Sequence, residues 1–336
     1  MKACTQTVES PGGVKLHDAF ESAWNRCIAN LTTATAEGSY DFFLEENLKP
    51  VLMPVTTGSV SSPMGLGSDS MPVKIDLMGD DTYLADSMQF HLEYMLRFHQ
   101  QGVWYLMSTF RGEDPDTRHL NQFFHAEAEI PGGLEDVMQL IERYVKHLAQ
   151  HILKHCSDDV LEVAEDLDHL EKLYDLKAIP RVTFSEVKKE FKNHPEFFTK
   201  HGYGIESVST AGEIALMKEH GGVVWLTHFP HKAVPFYQAR DVVSGNALCA
   251  DLLMGIGETV GCGERHTQYR EVLSSLKDHQ VNPADYDWYM QMKRVRPLQT
   301  AGFGLGIERF LLWVLKHRDI RDIPLFKRLK GQPCHP

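Results

Sequence analysis

Apolar residues recur at helical spacing from about residue 15 to 48, through LHDAFESAWNRCIANL and SYDFFLEENL, before a short strand-like run, PVLMPVTT. The Gly/Ser/Pro-rich residues 58–72, GSVSSPMGLGSDSMP, read as a surface loop. Beyond it come the strand patterns VKIDLM and DTYLAD, a helix over SMQFHLEYMLRFHQQG, and the strand VWYLMSTFR. WYLMSTFR and HLNQFFHAEAEI are separated by GEDPDT, which has the composition of a turn, so the pair predicts an antiparallel hairpin with a long polar loop. GLEDVMQLIERYVKHLAQHILKH returns to helical spacing. VVWLTHFP, PFYQARDVV, ALCADLLMG and GETVGCGE predict further strands, and helices are expected at about 267–278 and 283–292. The closing GFGLGIERFLLWVLKH reads as a strand leading into a helix. Strands outnumber helices and many are joined by hairpin-length connections, which predicts an α+β fold: a seven-odd-stranded antiparallel sheet flanked by helices.

Composition narrows the class. The 336 residues can bury a substantial core, and a net charge of −12 argues against broad electrostatic capture of nucleic acid. The N-terminus MKACTQTVESPGG has no apolar signal-peptide core, and the longest apolar runs, such as FLLWVL, are about six residues. A cytoplasmic protein without a membrane span is expected. Six cysteines are scattered with no CxxC pair, and eighteen histidines include no HExxH, so neither a disulfide frame nor a zinc site is expected.

Candidate chemistry starts at GFGLGIERF, where Gly302, Gly304 and Gly306 alternate ahead of Arg309. The GxGxG spacing and its place near the C-terminus do not suit a dinucleotide-binding βαβ unit. Arg111 ends one hairpin strand, Arg118 and His119 begin the other, and Asp251 and Glu258 stand seven residues apart across LLMGIG. Arginines converging on one sheet face suit a polyphosphate, because guanidinium groups bind phosphate oxygens by paired hydrogen bonds. Two carboxylates beside them suit Mg²⁺, which favours oxygen ligands and bridging phosphates. Glycines would let a backbone approach a nucleotide closely. Taken singly, each arginine reads more readily as a solvated or structural residue than as a ligand, and Phe123 as a core aromatic.

Together these stretches resemble one family. TFRGEDPDTRHLNQFFHAEAEI is similar to motif 2 of the class II aminoacyl-tRNA synthetases, in the form of the aspartyl/asparaginyl subclass. GFGLGIERFLLWVLKHRDIRDIPLFKR resembles their motif 3, and VLMPVTT resembles motif 1 with its proline at Pro54. GETVGCGERHTQYREVL and DWYMQMKRVRP follow the subclass order between them, so the resemblance covers roughly residues 15–330. It implies ATP and Mg²⁺ as cofactors. Arg111 would grip the α-phosphate of ATP and Arg309 the γ-phosphate, above Gly302, Gly304 and Gly306. Glu113 and Phe123 would define the adenine slot, with Arg118 and His119 on the phosphate side. Asp251 and Glu258 would hold Mg²⁺, Glu258 also facing ATP. Gln89, Leu92 and Arg265 would contact the amino acid, Arg265 at its side-chain end. A homodimer through the motif 1 helix and strand is implied.

Several positions depart from the subclass. Ser62 and Pro63 stand where a Glu–Gly pair reads the substrate ammonium, and Leu92 stands where aspartate users carry a lysine, as in asparagine users. Gln122, Gln299, Thr300, Cys262 and Gly263 also differ. The segment ahead of motif 1 reads as helical, so we expect a tail over residues 1–14 and a single catalytic domain over 15–336 without an anticodon-binding barrel. The expected function is ATP-dependent adenylation of an asparagine- or aspartate-like amino acid, with acyl transfer to an amine or ammonia, as in archaeal asparagine synthetases of this kinship. The alternatives are a minimal asparagine–tRNA ligase, which would add tRNA as a partner, and a catalytically silent nucleotide-binding regulator.

Overall fold

The computed structural model describes residues 16–61, 66 and 70–332. Helix α1 (Leu16–Glu21) leads into α2 (Ala23–Glu45), which begins where the Ser22 hydroxyl accepts the Asn25 amide at 3.3 Å. Strands β1 (Lys49–Pro50) and β2 (Thr56–Thr57) follow, then the hairpin β3 (Val73–Leu77) and β4 (Asp80–Leu84), and α3 (Gln89–Leu96). The expected long hairpin is β5 (Val103–Phe110) with β6 (Gln122–Pro131), and α4 (Leu134–His155) follows it in the chain. Residues 156–222, for which hydrophobic spacing predicted no elements, form α5 (Ser157–Ala164), α6 (Asp168–Asp175), β7 (Arg181–Thr183), α7 (Phe184–Glu190), β8 (Phe198–Lys200), β9 (Glu206–Val208) and α8 (Thr210–Glu219). The chain continues through β10 (Val223–Thr227), β11 (Cys249–Met254), β12 (Gly257–Glu264), α9 (Tyr269–Asp278), α10 (Asp287–Val295), β13 (Thr300–Gly306) and α11 (Ile307–Val314).

The main sheet has eight strands in the order β1-β5-β6-β13-β12-β11-β10-β7. Its centre is antiparallel as expected, but both edge pairs, β1 with β5 and β10 with β7, are parallel. Two expected strands are not there. PVLMPVTT forms ladder only at its ends, because Pro50 and Pro54 have no N–H to donate. PFYQARDVV makes only the isolated bridges Gln238–Arg265 and Arg240–Ala247, wrapping over the ends of β11 and β12.

Alternation along β6 sorts its side chains between two environments. Ala126 and Ala128 enter the core under α2, α4 and α11, where Phe43 stacks on Trp104 with ring centroids 4.5 Å apart. Gly38 lets α2 approach α4, since a Cβ there would lie 3.1 Å from His151 and 3.2 Å from Leu148. Phe123, His125, Glu127 and Glu129 take the other face, which α3, α9 and α10 border with a second cluster around Phe90, Tyr286 and Tyr289. That face is open, and the site lies on it.

Helix α11 begins with a buried acid. Both Glu308 oxygens accept the Phe124 amide, at 3.0 and 3.2 Å, yet burial pushes its carboxyl up to about 7. A folded value raised above the ordinary 4.5 favours the protonated form, so the stability it contributes is full below about 4.5 and lost as pH rises through 7. Glu308→Gln mimics the protonated group. Thermal or urea unfolding of E308Q should therefore gain on the wild type between pH 5 and 8, by up to roughly 3 kcal/mol. A stability difference that does not change with pH would contradict a buried titrating acid.

Candidate active site

Strand register assembles the site. Tyr105, Glu127, Gly304, Gly261 and Asp251 lie side by side across β5, β6, β13, β12 and β11. One pair along, Glu129, Gly302, Gly263 and Cys249 form a second row. The glycines leave space that side chains fill. A Cβ at Gly302 would overlap the Glu129 carboxylate, one at Gly263 would overlap the Gln238 carboxamide, and one at Gly304 would lie 3.0 Å from Glu127. Gly302 makes room for Glu129 and lines neither lobe of the cavity over these rows, whereas Gly304 and Gly306 do.

Two connected lobes open over these rows. The first, about 550 Å³, is walled by Arg111, Arg118, His119, Phe123, Gly306 and Arg309. The second, about 1150 Å³, is walled by Asp86, Gln89, Glu127, Gln238, Asp251 and Arg265. Arg111, His125, Glu258, Gly261 and Gly304 line both and form the waist.

The cations of the first lobe differ in how far they are committed. Arg111 has no ion pair among the described residues, its Nε is buried without a partner, and its guanidinium lies 5.7 Å from the centroid of the Phe123 ring. Arg309 donates to the Glu258 carbonyl at 2.5 Å and stands 3.6 Å from its carboxylate. Arg118 is held by Glu213 at 2.8 Å and by Thr210, and His119 by Asp116 at 2.9 Å. Glu113 lines neither lobe; its carboxylate accepts the Met71 amide at 3.1 Å.

Asp251 and Glu258 converge above Gly261, where an added Cβ would lie 3.6 Å from one carboxylate and 2.8 Å from the other. Burial, then the charges of Glu258 and Glu213, drive the Asp251 carboxyl well above its ordinary range, against the pull of Arg309. Two crowded acids facing one point fit a hard cation, and Mg²⁺ characteristically takes one or two carboxylates and completes its shell with phosphate oxygens and water. No group of three or more His, Cys, Asp or Glu side chains that could hold a metal ion occurs among the described residues.

Arg265 anchors the second lobe and is almost fully engaged. Its Nε and Nη2 donate to Glu129 at 3.1 to 3.3 Å, Nη1 to Gln238 at 3.2 Å, and Nη2 to Gln89 at 2.8 Å. Burial raises the Glu129 carboxyl, and the Arg265 guanidinium beside it opposes the shift. Both carboxamide oxygens are spent on Arg265, so the NH₂ groups of Gln89 and Gln238 remain to donate. Leu92 is placed elsewhere: it is fully buried with Ala85, Met88 and Leu96 and lines neither lobe. Ser62 and Pro63 lie outside the described residues.

His125, Glu127, Glu129 and Gln238 did not stand out as candidates from the sequence. The signal for three of them is the period-two run FxHxExE on β6, which puts Phe123, His125, Glu127 and Glu129 on one face. Gln238 carries no such signal, because its segment is irregular.

The family model for class II tRNA synthetases (D, K and N) matches residues 25–330. The asparagine–tRNA ligase of Malacoplasma penetrans is 29% identical over 319 residues, which are 90% of this chain and 70% of that protein. A probable cytoplasmic asparagine–tRNA ligase of Encephalitozoon cuniculi is 29% identical over 278 residues, covering 78% of this chain and 59% of that one. In three dimensions the chain is similar to asparaginyl-tRNA synthetase from Pyrococcus horikoshii complexed with asparaginyl-adenylate (TM-score 0.84, 24% identity, 94% of this chain and 71% of that one). It is also similar to the Entamoeba histolytica asparaginyl-tRNA synthetase complex with asparaginyl-adenylate (TM-score 0.81, 24% identity, 98% and 73%). The chain therefore belongs to the class II tRNA synthetases of the D, K and N group, in the aspartyl/asparaginyl subclass, a family of ATP-dependent ligases that form aminoacyl adenylates.

Proposed function

We propose that this protein uses ATP to adenylate an amino acid with a neutral, asparagine-like side chain and transfers the acyl group to an amine or ammonia. The observation that carries the substrate half is the engagement of Arg265. Its charge is already matched by Glu129, so an added substrate carboxylate would face a spent cation, whereas a carboxamide can accept from Gln89 and Gln238. The net charge of −12 supports a small acceptor over broad capture of a polyanion.

In the first step the substrate carboxylate attacks the α-phosphorus in line and pyrophosphate leaves. Arg111, at the waist and free of ion pairs among the described residues, holds the α-phosphate and meets the charge that grows there. Phe123 and the backbone at Gly306 seat the nucleotide, with Arg309, Arg118 and His119 toward its phosphate tail. Mg²⁺ held by Asp251 and Glu258 would neutralise phosphate charge. We further propose one catalytic domain over 15–336 and a homodimer through α2 and β1, where Leu44 on α2 and Leu52 just past β1 are exposed. No described helix is long and apolar enough to cross a membrane.

A second reading is a minimal asparagine–tRNA ligase, favoured by the names of the two relatives. The test is amino-acid-dependent ATP–pyrophosphate exchange across a panel of amino acids, with EDTA as control. Exchange with asparagine above aspartate is expected, and EDTA should abolish it. Incubating the charged enzyme with amines or with tRNA then separates the two acceptors. No exchange with any amino acid would leave a silent nucleotide-binding regulator as the better description.

A further inference from the structure

We propose that His125 is the general base that deprotonates the acyl acceptor, and that the acceptor is accordingly an amine that arrives protonated. The inference rests on the amine-acceptor reading above. If the nucleotide lies in the first lobe and the amino acid in the second, the mixed anhydride joining them must cross the waist. His125 stands at that waist, lining both lobes, with its side chain 14% exposed.

Its neighbours determine which nitrogen carries the proton. The Thr109 hydroxyl donates to the Phe123 carbonyl at 3.4 Å, so its lone pair is left to accept the His125 Nδ1–H at 3.3 Å. Glu127 Oε1 lies 3.1 Å from the same Nδ1, a charge contact not aligned as a hydrogen bond, and it favours the same tautomer. Nε2 then carries the free lone pair. Glu127 is fixed from behind, its Oε2 accepting from Ser87 at 2.6 Å and from the Tyr105 hydroxyl. A carboxylate behind an imidazole with an open second nitrogen is the arrangement that supports base catalysis.

The step balances without another reactant. Nε2 takes one ammonium proton, and the freed amine lone pair attacks the adenylate carbonyl carbon. The C–N bond forms, the C–O bond to phosphorus breaks, and AMP leaves with that electron pair. The second N–H proton of the acceptor is lost to solvent or to the departing phosphate. His125 is the catalytic residue here; Thr109 and Glu127 are positioning residues.

The experiment compares three readouts on the purified protein: pyrophosphate exchange, amide formation with ammonium, methylamine or an α-amino acid, and hydroxamate formation with hydroxylamine. Hydroxylamine is largely unprotonated at neutral pH and needs no base. In His125→Gln, amide formation should fall by about 10²-fold or more, while hydroxamate formation and exchange fall far less. Thr109→Val, which removes the acceptor from Nδ1–H without touching the ring, should lower amide formation by a smaller factor and again spare the hydroxamate. Equal loss of all three readouts in both variants would assign His125 to adenylation or to structure and overturn the proposal. Unimpaired amide formation in H125Q would overturn it too. A wild-type enzyme that makes hydroxamate but no amide from any amine would instead refute the amine acceptor itself, and the base with it.

Discussion

Arg111→Ala is expected to lower amino-acid-dependent pyrophosphate exchange by about 10³-fold, the size of effect seen when a preorganised charge is removed from a developing phosphoryl or acyl anion. Arg111 sits where the two lobes meet, and no carboxylate among the described residues claims its guanidinium. Its charge is therefore available to the α-phosphate. Because no buried acid is orphaned by its removal, the unfolding midpoint of R111A should stay near that of the wild type. Arg111→Lys keeps the charge but not the paired donor geometry, and should fall between the two. The effect should appear in kcat more than in KM, since the interaction strengthens as the transition state forms. Exchange by R111A at the wild-type rate would remove this residue from the chemistry.

Arg265→Leu is expected to damage both stability and substrate binding. Arg265 is 1% exposed and Glu129 is fully buried, and the two are joined at 3.1 Å. Removing one partner leaves an unmatched charge in the interior, which typically costs about 3–5 kcal/mol. The oxygens of Gln89 and Gln238 also lose their common donor. Urea unfolding should show the loss, and exchange should vanish at any accessible amino-acid concentration. Pairing R265L with Glu129→Leu removes both charges together and should recover most of the stability while leaving exchange absent. Were the double variant no more stable than R265L, the charge pair would not be what the single variant had broken.

Much of this architecture is written locally. The helices α2, α4 and α11 follow from apolar residues at helical spacing, and the β5–β6 hairpin from two alternating runs around GEDPDT. The sheet arginines, Asp251, Glu258 and Phe123 were found because their motifs stand in order along the chain. Four placements could be read only from the folded molecule. Leu92, one turn after the cavity-lining Gln89 on α3, packs inward with Ala85, Met88 and Leu96. Glu113 turns toward the backbone of a loop forty-odd residues away in sequence. Gly302 serves Glu129, and the two edge strands run parallel to their neighbours.

The division has a physical basis. Periodicity and turn chemistry act over a few residues, so the chain alone specifies which face of each strand is polar and where each hairpin closes. Strand register acts across the sheet, and only register brings Glu127 opposite Gly304, Glu129 opposite Gly302, and Gly261 opposite Asp251. The sequence by itself determined the family, the hairpin and the set of charged groups. The tertiary structure decided which charges are already spent on one another, leaving Arg111 without an ion pair among the described residues, Arg265 paired with Glu129, and His125 at the waist, lining both lobes.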